Sequence, residues 1–135
     1  KKYIYLFSNL SPDNINEFDD IISKDIIFID PFNNVKGIDA FKKIFYHMFE
    51  NVKEPKFFVL DYSMNKKRVF LKWKMTFFAF KSLQTIEGMS ELELNDAGKV
   101  ISHIDYWDSL NGIFIKIPFI GYLYKISLLL FKSKI

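Results

Sequence analysis

No cysteine occurs anywhere in the chain, which excludes disulfide bonds, a thiolate nucleophile and any cysteine-ligated metal. Structural zinc is thereby disfavoured, and neither a metal nor a cofactor is expected. Arginine is almost as scarce: Arg68 stands alone among lysines that are scattered between 16 acidic residues. Without a clustered basic face or an arginine-rich arm, a nucleic-acid partner is not expected. The four prolines and five glycines are spread out rather than gathered in a run, so neither a disordered segment nor a linker between domains is indicated. Long apolar runs are also lacking. The best of them, IPFIGYLYKISLLLF at 117–131, is broken by Pro118, Gly121 and Lys125 and falls short of the ~20 residues that span a bilayer. This tail could touch a membrane surface but not cross it. At the other end, Ser8, Asn9, Ser11, Pro12 and Asp13 cut short the apolar stretch of KKYIYLF before it makes an export signal. A cytoplasmic location is the expectation.

What is present points to one compact domain. The 135 residues suffice for a single core that buries roughly two thirds of the unfolded surface. Half are hydrophobic and 19% aromatic, with 16 phenylalanines, part of which reflects a composition skewed toward Phe, Ile, Lys and Asn. The domain is expected to run over 1–135, with 109–135 an apolar, partly helical C-terminal extension.

Local signals set the order of elements. A short helix over Tyr3 to Asn9 is followed by Ser11-Pro12-Asp13, read as N-cap, first helical residue and first-turn acid of a second helix reaching about Ile22. DIIFI at 25–29 is a β-branched strand ending in Asp30-Pro31, where proline disfavours helix at the residue before it. Gly37 releases a third helix carrying Ile38, Phe41, Ile44, Phe45, Met48 and Phe49 at helical spacing. From Pro55 the period becomes two. FFVLDYSM, RVFLKWKMTFFAF, TIEGMSELEL and KVISHIDYWD read as four antiparallel strands forming a curved sheet over 55–108 that cups the third helix. Asn95-Asp96-Ala97-Gly98 supplies a tight turn between the last two.

Alternation decides which side chains share a surface. Leu71, Trp73, Met75 and Phe77 fall on one face and Lys72 and Lys74 on the other; Ser90, Leu92 and Leu94 oppose Glu91 and Glu93, so the wet faces carry charges able to pair across the ladder. If the turn pairs Leu94 with Lys99, then Ser90 lies opposite His103 and Gly88 opposite Asp105. His103, Asp105 and Trp107 of the stretch SHIDYWD then point inward, while Tyr106 and Asp108 point outward. An inward histidine needs only a hydrogen-bond partner, but an inward carboxylate must be paired or wet, and His103 two residues away is its natural partner. A Ser90-His103-Asp105 nucleophilic triad is disfavoured, because no GxSxG elbow or other source of oxyanion donors is visible.

The order of these elements, with DPFNNVKGIDAF, FLKWKM, IEGMSELEL, GKV, HIDYWD and IPFIGYLYK, resembles the nuclear transport factor 2-like superfamily, and within it a SnoaL-like group of unassigned function. The resemblance covers nearly the whole chain. It implies the cone-shaped, cystatin-like α+β fold of ketosteroid isomerase, scytalone dehydratase, limonene epoxide hydrolase and SnoaL polyketide cyclase: a curved, mostly antiparallel sheet wrapped around three N-terminal helices with an internal pocket. It implies that Asp30 holds the place of the isomerase's catalytic base and Ser90 that of its oxyanion-hole acid. The oxyanion tyrosine would align at Leu6, with Tyr5 adjacent and Tyr3 a further candidate. Steroid isomerisation as such is therefore not expected. Homodimers packed back to back through their sheets are common in this superfamily, and a homodimer is expected.

The candidate catalytic groups are thus Asp30, His103 and Asp105, forming one proton-sharing site. The candidate ligand pocket comprises Tyr5, Phe32, His47, Trp73, Met75, Ser90, Leu92 and Trp107. Two of these also have a bland reading: Asp30 before Pro31 is a turn former as well, the pocket-facing role being preferred, and His47 fits the surface as well as the cavity mouth. The partner expected is a small hydrophobic molecule of polyketide, terpenoid or steroid type. Either Asp30 or His103 held by Asp105 moves a proton or activates water on it, or the protein is a noncatalytic carrier, or an interaction module. Ile117, Phe119, Ile120 and Leu123 are expected to pack over the cone mouth or a neighbouring subunit.

Overall fold

The computed structural model describes residues 1–132. Six strands, β1 (Ile22–Ile29), β2 (Asn34–Lys36), β3 (Lys53–Asn65), β4 (Arg68–Ala79), β5 (Ser82–Leu94) and β6 (Val100–Trp107), form one open sheet in the order β2-β1-β6-β5-β4-β3. Every neighbouring pair is antiparallel except β1 and β6, which run parallel. The sheet is therefore mixed, and it includes the N-terminal strands as well as the expected C-terminal series. Register shifts between Lys53 and Lys56, Val59 and Asp61, and Glu93 and Leu94 bend and twist it into a curved surface.

Two α-helices, α1 (Lys2–Ser8) and α2 (Ile38–Asn51), meet this surface from its concave side. Helix α1 buries Tyr3, Leu6 and Phe7, the i, i+3, i+4 positions of one face. Helix α2 buries Phe41 and Phe45, with Ile38, Ile44, Met48 and Phe49 packed around them. The phenylalanines that looked partly like compositional skew build the core. Phe7, Phe18, Phe28, Phe41 and Phe45 form a chain of tilted and edge-to-face contacts with ring centroids 4.9 to 5.7 Å apart.

Three sequence expectations are corrected. The second helix is a 3-10 segment, Ile15–Asp20, and Ile22 already belongs to β1. Its two core residues, Ile15 and Phe18, are three apart, the repeat of a 3-10 helix, and both are fully buried. Ser11 does not cap it; Asn14 precedes it, its Oδ1 accepting from the Ser11 backbone N–H and its Nδ2 donating to the Asn9 carbonyl. Second, the β5–β6 register is displaced by two residues: Gly88 pairs with Trp107, Ser90 with Asp105, Leu92 with His103 and Leu94 with Val100. The turn spans Asn95 to Lys99, one residue more than expected, and the shift between Glu93 and Leu94 adds another. Because the side-chain period is two, the displacement leaves His103, Asp105 and Trp107 on their expected face, whereas the shift beside Leu94 turns Val100 inward, 2% exposed, in place of Lys99. Third, Lys72 and Lys74 form no salt bridge with Glu91 or Glu93, and the outer cation of β4 that does is Arg68. Arg68 Nη1 lies 2.5 Å from Glu91 Oε1, a half-exposed pair whose hydrogen bond raises the guanidinium pKa further, while the Lys74 ammonium lies 5.0 Å over the Phe58 ring.

Beyond β6, α3 (Ser109–Gly112) and a 3-10 turn (Phe114–Lys116) lead into α4 (Pro118–Leu128). Among the described residues, no helix is long and apolar enough to cross a membrane. The expectation that Phe119, Ile120 and Leu123 cover the cone mouth is not met within the chain: all three are exposed, and Ile117 is half-buried. Gly121 is the cause. It is the buried position of α4, so close to the Ile115 carbonyl that a Cβ there would lie 2.2 Å from the oxygen, and this fixes which side of the helix faces inward.

A second glycine holds the concave face together. A Cβ on Gly88 would stand 2.6 Å from Trp73 Cζ2 and 2.9 Å from Trp107 Cβ. Gly88→Ala is expected to displace the Trp73 indole and destabilise the fold by about 1–3 kcal/mol through overpacking. A urea midpoint and tryptophan emission unchanged from the parent protein would show that the two indoles give way freely.

Candidate functional site

The concave face of β4, β5 and β6, closed on one side by α2, encloses a cavity of about 550 Å³. Its wall is mostly apolar, with Phe28, Phe45, Phe57, Trp73, Met75, Phe77, Ile86 and Trp107 among its residues. The polar groups at its edge are Asp30, Asn33, Lys43, His47 and Asp105. Ile113 completes the lining from the extension, and next to it Phe114 stacks edge-on against Phe32, whose ring also meets Trp107 at 5.5 Å.

Within this wall lies a continuous polar chain. The Trp73 indole Nε1–H donates to Ser90 Oγ at 2.8 Å, and Ser90 Oγ–H donates in turn to Asp105 Oδ1. The same oxygen receives His103 Nε2 at 2.6 Å, and His103 Nδ1 lies 2.5 Å from the Tyr3 hydroxyl. The carboxylate oxygen can only accept, so His103 Nε2 is the donor to it, and in the neutral imidazole Nδ1 is then the acceptor for the phenol O–H. Asp105 Oδ1 thus takes two hydrogen bonds. Its other oxygen, Oδ2, takes none from the described residues, and no buried side-chain polar atom among them lacks a partner, so Oδ2 is open to the cavity that Asp105 lines.

This arrangement reverses the roles expected of the pair. His103 is only 3% exposed and does not line the cavity; its ring is boxed by Phe28, Phe7 and Tyr3, with centroids at 4.9, 5.5 and 5.8 Å. The aspartate faces the cavity, and the histidine holds it from behind. Ser90 and Leu92 are likewise buried behind the wall, and Ser90 acts as a bridge rather than as lining. Phe32, His47, Trp73, Met75 and Trp107 do border the cavity, His47 from an exposed position at its edge. Tyr5 does not: it is 64% exposed on the outer side of α1, and Tyr3, two residues earlier, is the tyrosine that turns inward. Its place at the i−3 position from Leu6 and i−4 from Phe7 was the available signal.

Asp30 borders the same cavity as Asp105, but no hydrogen bond among the described residues joins it to His103 or Asp105. Its carboxylate organises the β1–β2 turn instead. Oδ1 accepts from the backbone N–H groups of Phe32 at 2.8 Å and Asn33 at 2.7 Å, and both oxygens accept from Asn33 Nδ2. Asp108, the last residue of SHIDYWD, caps α3, and the Asn111 N–H donating to it holds its carboxyl below the usual range.

The geometry and the sequence agree on ancestry. The SnoaL-like domain family matches residues 5–103, and the chain belongs to that family. None of the curated proteins matches the sequence. Among solved structures it is similar to an NTF2-like protein of unknown function from Exiguobacterium sp. 255-15, at 21% identity over 78% of this chain and 94% of that one, with a TM-score of 0.67. A protein with a ketosteroid isomerase-like fold from Catenulispora acidiphila, in complex with trimethylamine, matches at 10% identity over 82% and 87% with a TM-score of 0.70. An LEH-like epoxide hydrolase from M. tuberculosis matches at 12% identity over 93% and 90%, also with a TM-score of 0.67. At these identities the likeness establishes the fold.

The polar chain makes a pH prediction. Burial first, and the negative charge of Asp105 second, push the Tyr3 phenol well above its ordinary value of 10.0. The folded protein therefore keeps a proton that the unfolded chain releases near pH 10, and stability present below that pH is lost as pH rises toward the folded value. Tyr3→Phe is expected to cost about 1–3 kcal/mol at neutral pH by leaving His103 Nδ1 without its donor, and to flatten the alkaline limb of stability. Thermal midpoints measured from pH 8 to 11 check both; parallel alkaline limbs in the two proteins would count against the buried phenol.

Proposed function

We propose that the protein binds a small, largely hydrophobic molecule in the cone cavity and that Asp105 exchanges a proton with it. The observation that carries this reading is the asymmetry of the Asp105 carboxylate. Two donors hold Oδ1, which fixes the orientation of the group, while Oδ2 faces a mostly apolar space of about 550 Å³. That volume is in the range of small-molecule sites, and apolar walls with few convergent polar groups are their usual composition. A carboxylate fixed in this way is a general base toward a ligand C–H, O–H or attacking water. His103 and Tyr3 do not touch the ligand; they replace the hydration of Asp105. The chemistry this suits is of isomerase, cyclase or hydrolase type on a polyketide-, terpenoid- or steroid-like molecule.

The second reading is a carrier, in which Asp105 only orients the ligand. It is favoured by the engagement of Asp30, the other carboxylate bordering the cavity, whose two oxygens already take hydrogen bonds within its turn. The two readings separate on Asp105→Asn. Ligands are first found by quenching of Trp73 and Trp107 emission with a panel of aromatic polyketides, terpenoids and steroid ketones, and products are then sought by mass spectrometry. For a base, turnover falls by ~10²–10⁴ with little change in binding. For a carrier, no product forms, and affinity shifts by roughly the 1–3 kcal/mol of a hydrogen bond to a charged group. Full turnover in Asp105→Asn would exclude the base role.

The expected homodimer finds support on the outer face of the sheet, where Phe58, Phe78, Met89 and Tyr106 are exposed. Phe58 lies beside Lys74, and Met89 beside both Lys72 and Tyr106, in the strand register, giving an apolar area between charged rows. Met89→Glu with Phe58→Glu is expected to shift sedimentation from dimer to monomer; a parent protein that sediments as a monomer would remove this interface.

A further inference from the structure

We infer that α4 and residues 129–132 dock the protein onto an anionic lipid surface. The outward face of α4 is its apolar one. Opposite the buried Gly121, Phe119, Tyr122, Leu123 and Ile126 recur at i, i+3, i+4 and i+7 and are 72%, 63%, 50% and 47% exposed. Leu129, Leu130 and Phe131 continue the surface at 74%, 82% and 86%. A helix on a water-facing surface carries the reverse pattern, and an apolar area of this extent on a small domain marks a contact.

Charge identifies the partner. After Asp108 the chain holds no acidic residue but four lysines, Lys116, Lys125, Lys132 and Lys134. Without them the other fifteen cations face sixteen acids, so the whole net positive charge of +3 comes from this extension. A second copy of the chain seated on the same face would bring two all-cationic segments together without an acid in either. An anionic leaflet offers the complementary sign and an apolar layer under it, and each lysine near such a surface contributes about 1 kcal/mol. With 11 residues and a rise of about 1.5 Å each, α4 is too short to span a bilayer and long enough to lie in the interface. Tyr122, 63% exposed on the same face, adds the amphipathic ring that lipid interfaces favour.

The test is sedimentation of the full chain with vesicles of phosphatidylcholine alone and of phosphatidylcholine with 30% phosphatidylglycerol, at low and high salt. The protein is expected to pellet with the anionic vesicles at least tenfold more than with the neutral ones, and salt should release it. Phe119→Ser with Leu123→Ser, and separately Lys125→Glu with Lys132→Glu, should each abolish binding without changing the thermal midpoint, because these side chains are exposed. Retention in the supernatant with both vesicle types overturns the inference, as does unchanged binding of either variant. If the serine variant instead dissociates a dimer that binds no vesicle, a second copy covers the face and the lipid assignment is wrong.

Discussion

A carboxylate placed on the inner side of an apolar sheet has lost most of its water, and the loss is tolerable only when other groups supply hydrogen bonds in its place. Much of the architecture around Asp105 follows from this requirement. Strand β5 brings Ser90 directly across from it, and β4 brings Trp73 into reach of Ser90. Alternation along β6 puts His103 on the same face, and α1 is docked so that Tyr3 closes the far end. The phenylalanines around the histidine keep the array dry, which strengthens each bond in it and confines its one free acceptor to the cavity. Gly88 belongs to the same arrangement, since only a residue without a side chain lets the Trp73 indole pass beside Trp107 to its serine.

How far the sequence revealed this can be judged residue by residue. The inward facing of His103, Asp105 and Trp107 was legible because period-two alternation needs only parity, and a register two residues away from expectation has the same parity. The order in depth was not legible. Alternation says which face a side chain takes, but whether His103 or Asp105 meets the cavity depends on how α1 and the aromatic rings fill the space behind the strand, and those are contacts between distant segments. The choice of Tyr3 over Tyr5 turned on helical phase in a seven-residue element, where one residue is 100°. Strand β2 has three residues and offers no periodicity to read; it exists because Asp30 and Asn33 fold the chain back. The capping residues Ser11-Pro12-Asp13 suggest a longer helix than the 3-10 segment that forms, for which the three-residue spacing of Ile15 and Phe18 is the better signal.

Membership of the SnoaL-like family states what holds the site, while the chemistry lies in a few side chains set on that frame. In this chain two acids border the cavity: the one at the turn before α2 is engaged by backbone amides, and the other comes from β6, the last strand in sequence and a central one in the sheet. The two positions differ in kind. A turn carboxylate moves with a surface loop; a carboxylate in mid-strand, with a serine on one side and a histidine on the other, is fixed by the ladder itself.

The bond between Tyr3 and His103 joins residues 100 positions apart, and the parallel pairing of β1 with β6 has a comparable reach. A chain leaving the ribosome presents α1 and β1 long before their partners exist. Until β6 emerges, the Tyr3 hydroxyl is hydrated, β1 has only the short β2 beside it, and the cavity has neither its acid nor its Trp107 wall. Closing so long a loop is among the slowest contacts of a domain this size. The polar chain around Asp105 is therefore a seam between segments 100 residues apart, so a chain that lacks β6 carries most of the frame without Asp105.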